Sequence, residues 1–331
     1  MKTEMITGDI LKLDAELEVE RITTRLRDLM VGQLKRRGAV IGLSGGIDSS
    51  VSAALAVKSF GQERVIGLQM PERHSADDTL ELSGMVAECL GITTIHEDIT
   101  AILESVGFYK RYDEAVRKVL PEYGEGWKSK VVISSIFENR GFSVFSLVAS
   151  GPDLTETTRR LPLRPYLEIV AATNFKQRAR KMLEYYHADR LNYAVVGTPN
   201  RLEYDQGFFV KLGDGAADLK PIAHLYKSQV YQLAEYLGIP EEIRRRPPTT
   251  DTYSLAQGQD EFYFSLPYEK MDICLYGKNN GLPAESVAEA VGATPEQIQM
   301  VYDDIDIKRS TTRYLHLPPL LVDSVSEICM H

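Results

Sequence analysis

Ala39-Val40-Ile41-Gly42-Leu43 runs directly into Ser44-Gly45-Gly46-Ile47-Asp48-Ser49-Ser50. The first five residues are apolar with no polar alternation, which predicts a strand buried on both faces of a parallel sheet. Ser49 to Ser59 is rich in Ala, Ser and Val and predicts a helix packed on that sheet. Between them, two glycines let backbone amides curl toward one point, the helix adds its positive N-terminal end, and Ser44, Ser49 and Ser50 add hydroxyl donors. That combination suits a phosphate, although an ordinary strand-to-helix turn also uses Gly and Ser. Unlike a P-loop, this turn has no Lys before its serine, and it carries Asp48 where phosphate would lie. An acid there makes sense if it holds a cation or orients substrate.

Outward from this stretch the same unit repeats. Asp14 to Arg37 has the spacing of an amphipathic helix ending at Gly38. Val65 to Gln69 reads as a strand, Ala76 to Leu90 as a helix, Thr93 to His96 as a strand, and Tyr193 to Gly197 as a strand after a long helix through Tyr185. Alternating strands and helices imply an α/β fold with a doubly wound parallel sheet. Residues 107–165 interrupt it with a charged helix candidate, a Gly-rich turn near Trp127 and two β-like runs, Val131 to Ile133 and Phe142 to Val148, joined at Asn139-Arg140-Gly141. From Pro247-Pro248 onward the pattern is mostly helical. The expected organisation is an α/β domain over 1–106 and 166–246, a β-rich insertion over 107–165, and a helical C-terminal extension over 247–331.

With 331 residues, 44% of them hydrophobic, the chain can close one large or two modest cores. Its 38 Lys and Arg against 47 Asp and Glu give no diffuse basic field, which argues against a nucleic-acid partner. No apolar run is long enough to span a bilayer, and the start lacks a signal-peptide pattern, so a cytoplasmic protein with no membrane partner is expected. Cys89, Cys274 and Cys329 form no C-x-x-C pair, and the six histidines show no metal-ligand spacing. The run Arg244-Arg245-Arg246 reads either as a solvated helix end or as a phosphate clamp.

Several motifs follow in order. Ser44-Gly45-Gly46-Ile47-Asp48-Ser49-Ser50 resembles the pyrophosphate loop of ATP pyrophosphatases, whose fold is that of the adenine nucleotide alpha-hydrolases. Asn174-Phe175-Lys176-Gln177-Arg178-Ala179-Arg180 is similar to the N-x-K-x-R-x-R helix of NAD synthases. Gly197-Thr198-Pro199-Asn200-Arg201-Leu202-Glu203 resembles their G-T-x-N/H-x-x-E segment, and Gly207 to Asp218 their G-x-x-T-K-Y-G-D-G-x-x-D stretch. Leu225-Tyr226-Lys227, Pro248-Thr249-Thr250-Asp251 and Gln259-Asp260-Glu261 complete the series. The chain is identified as a member of the NAD synthase family.

That resemblance implies ATP as substrate and Mg²⁺ as its metal, with Asp48 and Glu203 as metal ligands. The plainer alternative for Glu203 is an exposed helix acid. The implied ATP contacts are Ser44, Gly45, Gly46, Asp48, Ser49, Ser50, Thr198, Lys227 and Thr249; the implied substrate contacts are Asn174, Arg178, Lys211, Asp214 and Asp218. Asp48, Asp214 and Lys227 carry the implied catalytic roles. Arg178 and Arg180 lie two apart on a helix, so at most one faces the substrate. Val210 and Leu212 replace the usual Thr and Tyr, only Ile307-Lys308-Arg309 remains of a C-terminal S/E-x-K-R element, and compact relatives have no counterpart of 107–165.

The implied reaction is amidation of deamido-NAD to NAD with ammonia, AMP and pyrophosphate being released. The family further implies a homodimer. Glutamine use would call for a separate glutaminase partner, since the length leaves no space for that domain. Rivals are adenylate-type amidation of another carboxylate, a tRNA-modifying ATP pyrophosphatase, and a non-catalytic nucleotide-binding module.

Overall fold

The structure is a computed structural model that describes residues 8–76, 78–134, 144–249, 252–255, 257–258, 263–264 and 266–325. Helix α1 (Ala15–Asp28) starts at Asp14, whose side chain accepts from the Leu17 N–H at 3.0 Å. It continues as a π-turn over Leu29–Leu34 and stops at Lys35, which is left-handed with φ 52°. Gly38 therefore does not end the helix. It is Gly because a Cβ there would come 2.4 Å from the Arg64 carbonyl and 2.5 Å from the Tyr193 ring.

Strand β1 (Ala39–Gly42), helix α2 (Ile47–Phe60), strand β2 (Val65–Gln69), helix α3 (Thr79–Leu90) and strand β3 (Thr93–His96) follow as expected, with α2 starting earlier and α3 later than their patterns suggest. Next come α4 (Thr100–Ser105), α5 (Phe108–Arg117), β4 (Lys128–Ile133), β5 (Phe145–Ser150), β6 (Glu156–Arg160), α6 (Leu163–Leu191) and β7 (Ala194–Val196). The chain continues through α7 (Arg201–Gln206), α8 (Lys227–Tyr236), α9 (Glu241–Arg245), α10 (Tyr268–Asn279), α11 (Ala284–Val291) and α12 (Pro295–His316). None of the described helices is long and apolar enough to cross a membrane.

The main sheet is parallel in the order β3-β2-β1-β7. Alternate residues of β1 feed two cores: Ala39 and Ile41 pack with α1, α2 and α8, while Val40 packs with α5 and α6. Helices thus cover both faces, which is why β1 carries no polar residue. The chain steps from β1 outward to β2 and β3, then crosses back to β7 on the other side. The carboxyl ends of β1 and β7 flank the point where winding reverses, the usual ligand crevice of such sheets.

The expected two-stranded insertion is a three-stranded antiparallel sheet, β4-β5-β6. Its third strand, Glu-Thr-Thr-Arg-Arg, has no apolar alternation because it is a largely exposed edge, and charges there discourage pairing with another chain. The turn expected at 139–141 lies outside the described residues. Val131, Leu147 and Ala149 of this sheet share a core with Phe108 and Tyr112 of α5 and Ile169 of α6, so the insertion is anchored on the α/β body. Helix α6 begins at Leu163, inside the stretch assigned to the insertion.

Strand β4 is also stitched to a distant segment. Ser129 N–H donates to Ser254 Oγ at 2.9 Å, Leu255 N–H donates to the Ser129 carbonyl at 3.2 Å, and Gln257 Nε2 donates to the Val131 carbonyl. The C-terminal helices α10 to α12 form a third core that includes Leu202 of α7 and Tyr226.

Candidate active site

The turn after β1 is shaped by glycine. Gly45 has φ +72°, and a Cβ on it would lie 2.7 Å from the Leu82 Cβ, so neither conformation nor space admits a side chain. Gly46 is the N-cap of α2 and offers no capping side chain, leaving the first-turn amides for an anion. Ser44 is exposed; its Oγ accepts from the Gly46 N–H at 3.2 Å and lies 3.1 Å from the Ser49 Oγ. Ser49 and Ser50 donate to the Gly46 carbonyl at 3.0 and 2.8 Å. Ser50 is fully buried, so it braces the turn from beneath while Ser44 and the amides face outward.

Residues far apart in sequence converge on Asp48. Lys227 Nζ pairs with Asp48 Oδ2, and Asn200 Nδ2 donates to Asp48 Oδ1 at 3.2 Å. Asn200 also caps α7: its Oδ1 accepts from the Glu203 N–H at 3.2 Å, while Glu203 Oε2 accepts from the Asn200 N–H at 3.1 Å. Burial disfavours the Lys227 ammonium, but the charges of Asp48 and Glu203 outweigh it and raise its pKa. The two carboxylates therefore share one focus of positive charge. No cluster of three or more His, Cys, Asp or Glu suited to a metal occurs among the described residues. Two carboxylates still fit Mg²⁺, which keeps several waters and takes further oxygens from substrate phosphates.

Helix α8 is started from a distance. Asp272 of α10 accepts from the backbone N–H groups of Lys227 at 3.1 Å and Ser228 at 2.7 Å. Asp272 is fully buried, and that burial pushes its carboxyl up to about 6 despite these donors. Sequence reasoning gave no role to Asn200 or Asp272. The N-x-x-E spacing of Asn200 and Glu203 is a capping-box signal that could have identified the first. Nothing local marks the second.

Thr198 is half-buried in the turn after β7. Thr249 is exposed and forms an isolated antiparallel bridge with Gly258, and no described contact joins it to the Asp48 cluster. Thr250, Asp251 and 259–261 lie outside the described residues.

The turn from Val210 to Gly215 carries a second group of the residues implied by the motifs. Asp214 Oδ1 accepts from the Val210 N–H at 2.7 Å. A Cβ on Gly213 would lie 2.9 Å from the Gln177 Cβ, and one on Gly215 would lie 2.3 Å from Phe209 Cδ2, so both glycines are required by packing. Leu212 is left-handed at φ 60° and exposed. Burial raises the Asp214 pKa, against the Val210 N–H and the charges of Lys181 and Arg180.

Arg178 and Arg180 point apart, as their spacing requires: Arg178 Nε donates to the Lys211 carbonyl at 3.3 Å and Arg180 Nε to the Met70 carbonyl at 3.2 Å. Two expected substrate contacts are engaged by the protein itself. Lys211 Nζ donates to the carbonyls of Tyr314 at 2.7 Å and Leu317 at 3.2 Å, tying the turn to the end of α12. Asp218 Oδ2 accepts from the Val195 N–H at 2.7 Å, and Oδ1 accepts from the Tyr185 hydroxyl at 3.3 Å. Asn174 is half-buried on α6.

The remaining candidates have structural partners. Arg244 Nε donates to the Ile239 carbonyl at 2.9 Å, Arg245 pairs with Glu241, and Arg246 lies 3.0 Å from Asp78, so the basic run forms no clamp. Arg309 grips Asp205 through two bonds of 2.5 and 2.7 Å, joining α12 to α7. These two residues border a cavity of about 580 Å³ on the side of α7 that also carries Arg201 and Tyr204.

Comparison with known proteins matches residues 18–122 and 153–312 to the sequence model of the NAD synthase family, passing over 123–152. An NH(3)-dependent NAD(+) synthetase of Mesorhizobium japonicum is 58% identical over 96% of the chain and 100% of its own length. A protein of the same description from Rhizobium meliloti is 57% identical over 98% of the chain and 97% of its own. Among solved structures, the NH3-dependent NAD synthetase of Campylobacter jejuni superposes with a TM-score of 0.61 at 21% identity, covering 94% of this chain and 100% of its own, a likeness of fold.

Proposed function

Because the chain belongs to the NAD synthase family, we propose that it is a ligase that adenylates the nicotinate carboxylate of deamido-NAD with ATP and amidates it with ammonia. The observation that carries this reading is the convergence of the Ser44 to Ser50 turn with Asp48, Lys227, Asn200 and Glu203 at the reversal point of the sheet. A carboxylate acylates nothing until its oxygen becomes a good leaving group, so adenylation precedes amide formation. The α2 amides and Ser44 suit the phosphates of ATP, with Lys227 beside them. Preorganised donors of this kind lower the barrier by matching the charge that develops on departing pyrophosphate.

Asp48 and Glu203 would hold Mg²⁺, which supplies charge neutralisation to the triphosphate when bound. Asp214 lies at the acyl end, where its carboxylate can receive a proton from the incoming nitrogen. Arg178 and Asn174 of α6 border the same end. A cytoplasmic setting, where ATP is made available, suits this chemistry.

We also propose a homodimer. Leu163 with Leu167, and Met182 with Tyr186, form two i, i+4 pairs on α6 that are 54–72% exposed, apolar patches that a second copy would cover.

The test is a single assay with ATP, Mg²⁺, deamido-NAD and a nitrogen source. AMP and pyrophosphate should appear in equal amounts, ammonium should support turnover where glutamine alone does not, and the rate should climb with pH as free ammonia increases. Release of ADP and phosphate, or equal use of glutamine by the purified chain, overturns the reading. Turnover with another carboxylate but none with deamido-NAD would reassign the acceptor.

A further inference from the structure

Lys181 and Glu184 play no part in the reading above, yet they are 5% and 7% exposed and form an ion pair of 2.5 Å within α6. Such a pair is a poor way to fasten a helix, because desolvating two charges offsets their attraction and apolar residues of similar volume often serve better. Its placement suggests another purpose. Gln177, Lys181 and Glu184 follow at i, i+4 and i+7 and share one face of α6. At one end of that face Gln177 supports the Asp214 turn, as the 2.9 Å approach to Gly213 shows. At the other end a Cβ on Gly42 would lie 3.1 Å from Glu184 Oε1, so Glu184 abuts the last residue of β1, just before the Ser44 turn.

Lys181 stands between these two points. Its charge acts on Asp214 against the burial that favours the neutral acid, and Asp214 in turn acts on Glu184, which burial and that neighbouring acid push up against the pull of Lys181. The other charged groups around Asp214 are Arg180, committed to the Met70 carbonyl, and Lys220, whose Nζ donates to the Gly215 carbonyl at 2.7 Å.

We propose that Lys181, anchored by Glu184, is a positioning residue for amide formation that holds Asp214 as the carboxylate receiving the proton shed by ammonia. The inference rests on the acyl-adenylate reading above. As the nitrogen lone pair forms the C–N bond, the C–O bond to the adenylate phosphate breaks and its electron pair leaves on AMP. One N–H proton passes to an Asp214 oxygen. Lys181 acts through Asp214 rather than on the substrate.

Lys181→Met combined with Glu184→Leu removes both charges at similar volume, so that neither member of the pair is left as an unpaired buried ion. Two rates separate its effects: ATP–pyrophosphate exchange with deamido-NAD in the absence of ammonia, and NAD formation at fixed free ammonia from about pH 6 to about pH 9. Exchange should stay within about threefold, while NAD formation at neutral pH falls about tenfold and its acid limb moves up by about one pH unit. Lys181→Arg, which keeps the charge, should leave the limb in place. An unmoved limb overturns the inference, as does an equal loss of exchange and NAD formation, which marks the pair as merely structural. Should the double variant fail to fold, Lys181→Gln, which retains a hydrogen bond to Glu184 without the charge, faces the same two outcomes. Wild-type protein that makes no NAD from deamido-NAD defeats the underlying reading instead.

Discussion

At the proposed phosphate end, Ser44 to Ser50 come from one turn of chain, and the positive potential is that of backbone amides at the start of α2 together with Lys227. At the proposed acyl end, Asp214 is held by its own turn, rests on α6 through Gly213 and Gln177, and feels Lys181 and Arg180 from that helix. The first is a local device whose shape follows from two glycines. The second is assembled from segments that meet only when the fold is complete. Backbone dipoles have no proton to lose, and Asp48 and Glu203 hold Lys227 charged, so the proposed phosphate end should respond little to pH near neutrality. The acyl end consists of titratable groups and should be the part of the site that responds to pH.

The largest effect expected from breaking this division is at Asp48. Asp48→Asn combined with Glu203→Gln keeps shape but removes two charges, and ATP–pyrophosphate exchange should fall by about a thousandfold or more. Near-normal exchange at saturating Mg²⁺ would dismiss the metal assignment. Asp214→Asn should act on the other half-reaction alone, slowing NAD formation by about a hundredfold while exchange persists. If both half-reactions slow together, the two ends are not separate.

Gly45→Ala sharpens the comparison from the backbone side. The methyl meets Leu82 at a positive φ, so we expect a loss of about 2–4 kcal/mol in stability and about a tenfold rise in KM for ATP, measured by urea unfolding and initial rates. An unaltered KM for ATP would show that the turn does not need its curl. The smallest effect on activity is expected at Asp272, which holds the backbone N–H groups of Lys227 and Ser228 rather than the Lys227 ammonium.

Because the Asp272 carboxyl is raised from 3.8 to about 6, the folded chain binds the extra proton, and this contribution is fully present below pH 3.8 and lost as pH rises through 6. Relative to Asp272→Asn, wild-type stability should therefore fall by up to roughly 3 kcal/mol between about pH 4 and about pH 7. Urea midpoints at those pH values check the sign. Wild type gaining stability on Asp272→Asn as pH rises would contradict the raised carboxyl.

What could be read from the sequence follows the same division. The strands β1, β2 and β3 and the Ser44 turn are legible because their signals are contiguous: apolar runs and paired glycines. Strand β6 is not, since an exposed edge needs no apolar residue. The motif positions of Lys211 and Asp218 imply substrate contacts, but no motif shows the partners that hold their side chains, the Tyr314 and Leu317 carbonyls for one and Val195 with Tyr185 for the other. Asp272 and the Lys181–Glu184 pair were invisible for a related reason. Their roles depend on neighbours in other elements or on which face of a helix is buried, and neither property is written in a short stretch of residues.

Helix α6 carries Asn174, Arg178, Lys181 and Glu184 on a single rigid rod, with Asn174 and Glu184 about 15 Å apart along its axis. A rod of this kind fixes distance and phase together. Inserting one residue between Arg178 and Lys181 would lengthen it by only about 1.5 Å but turn everything beyond by about 100°, swinging Lys181 and Glu184 off the face that meets Gly42. Surface loops elsewhere can absorb added residues. This helix works as a ruler whose markings are angles as well as lengths, so its tolerance to insertion should be lower than that of the surface loops.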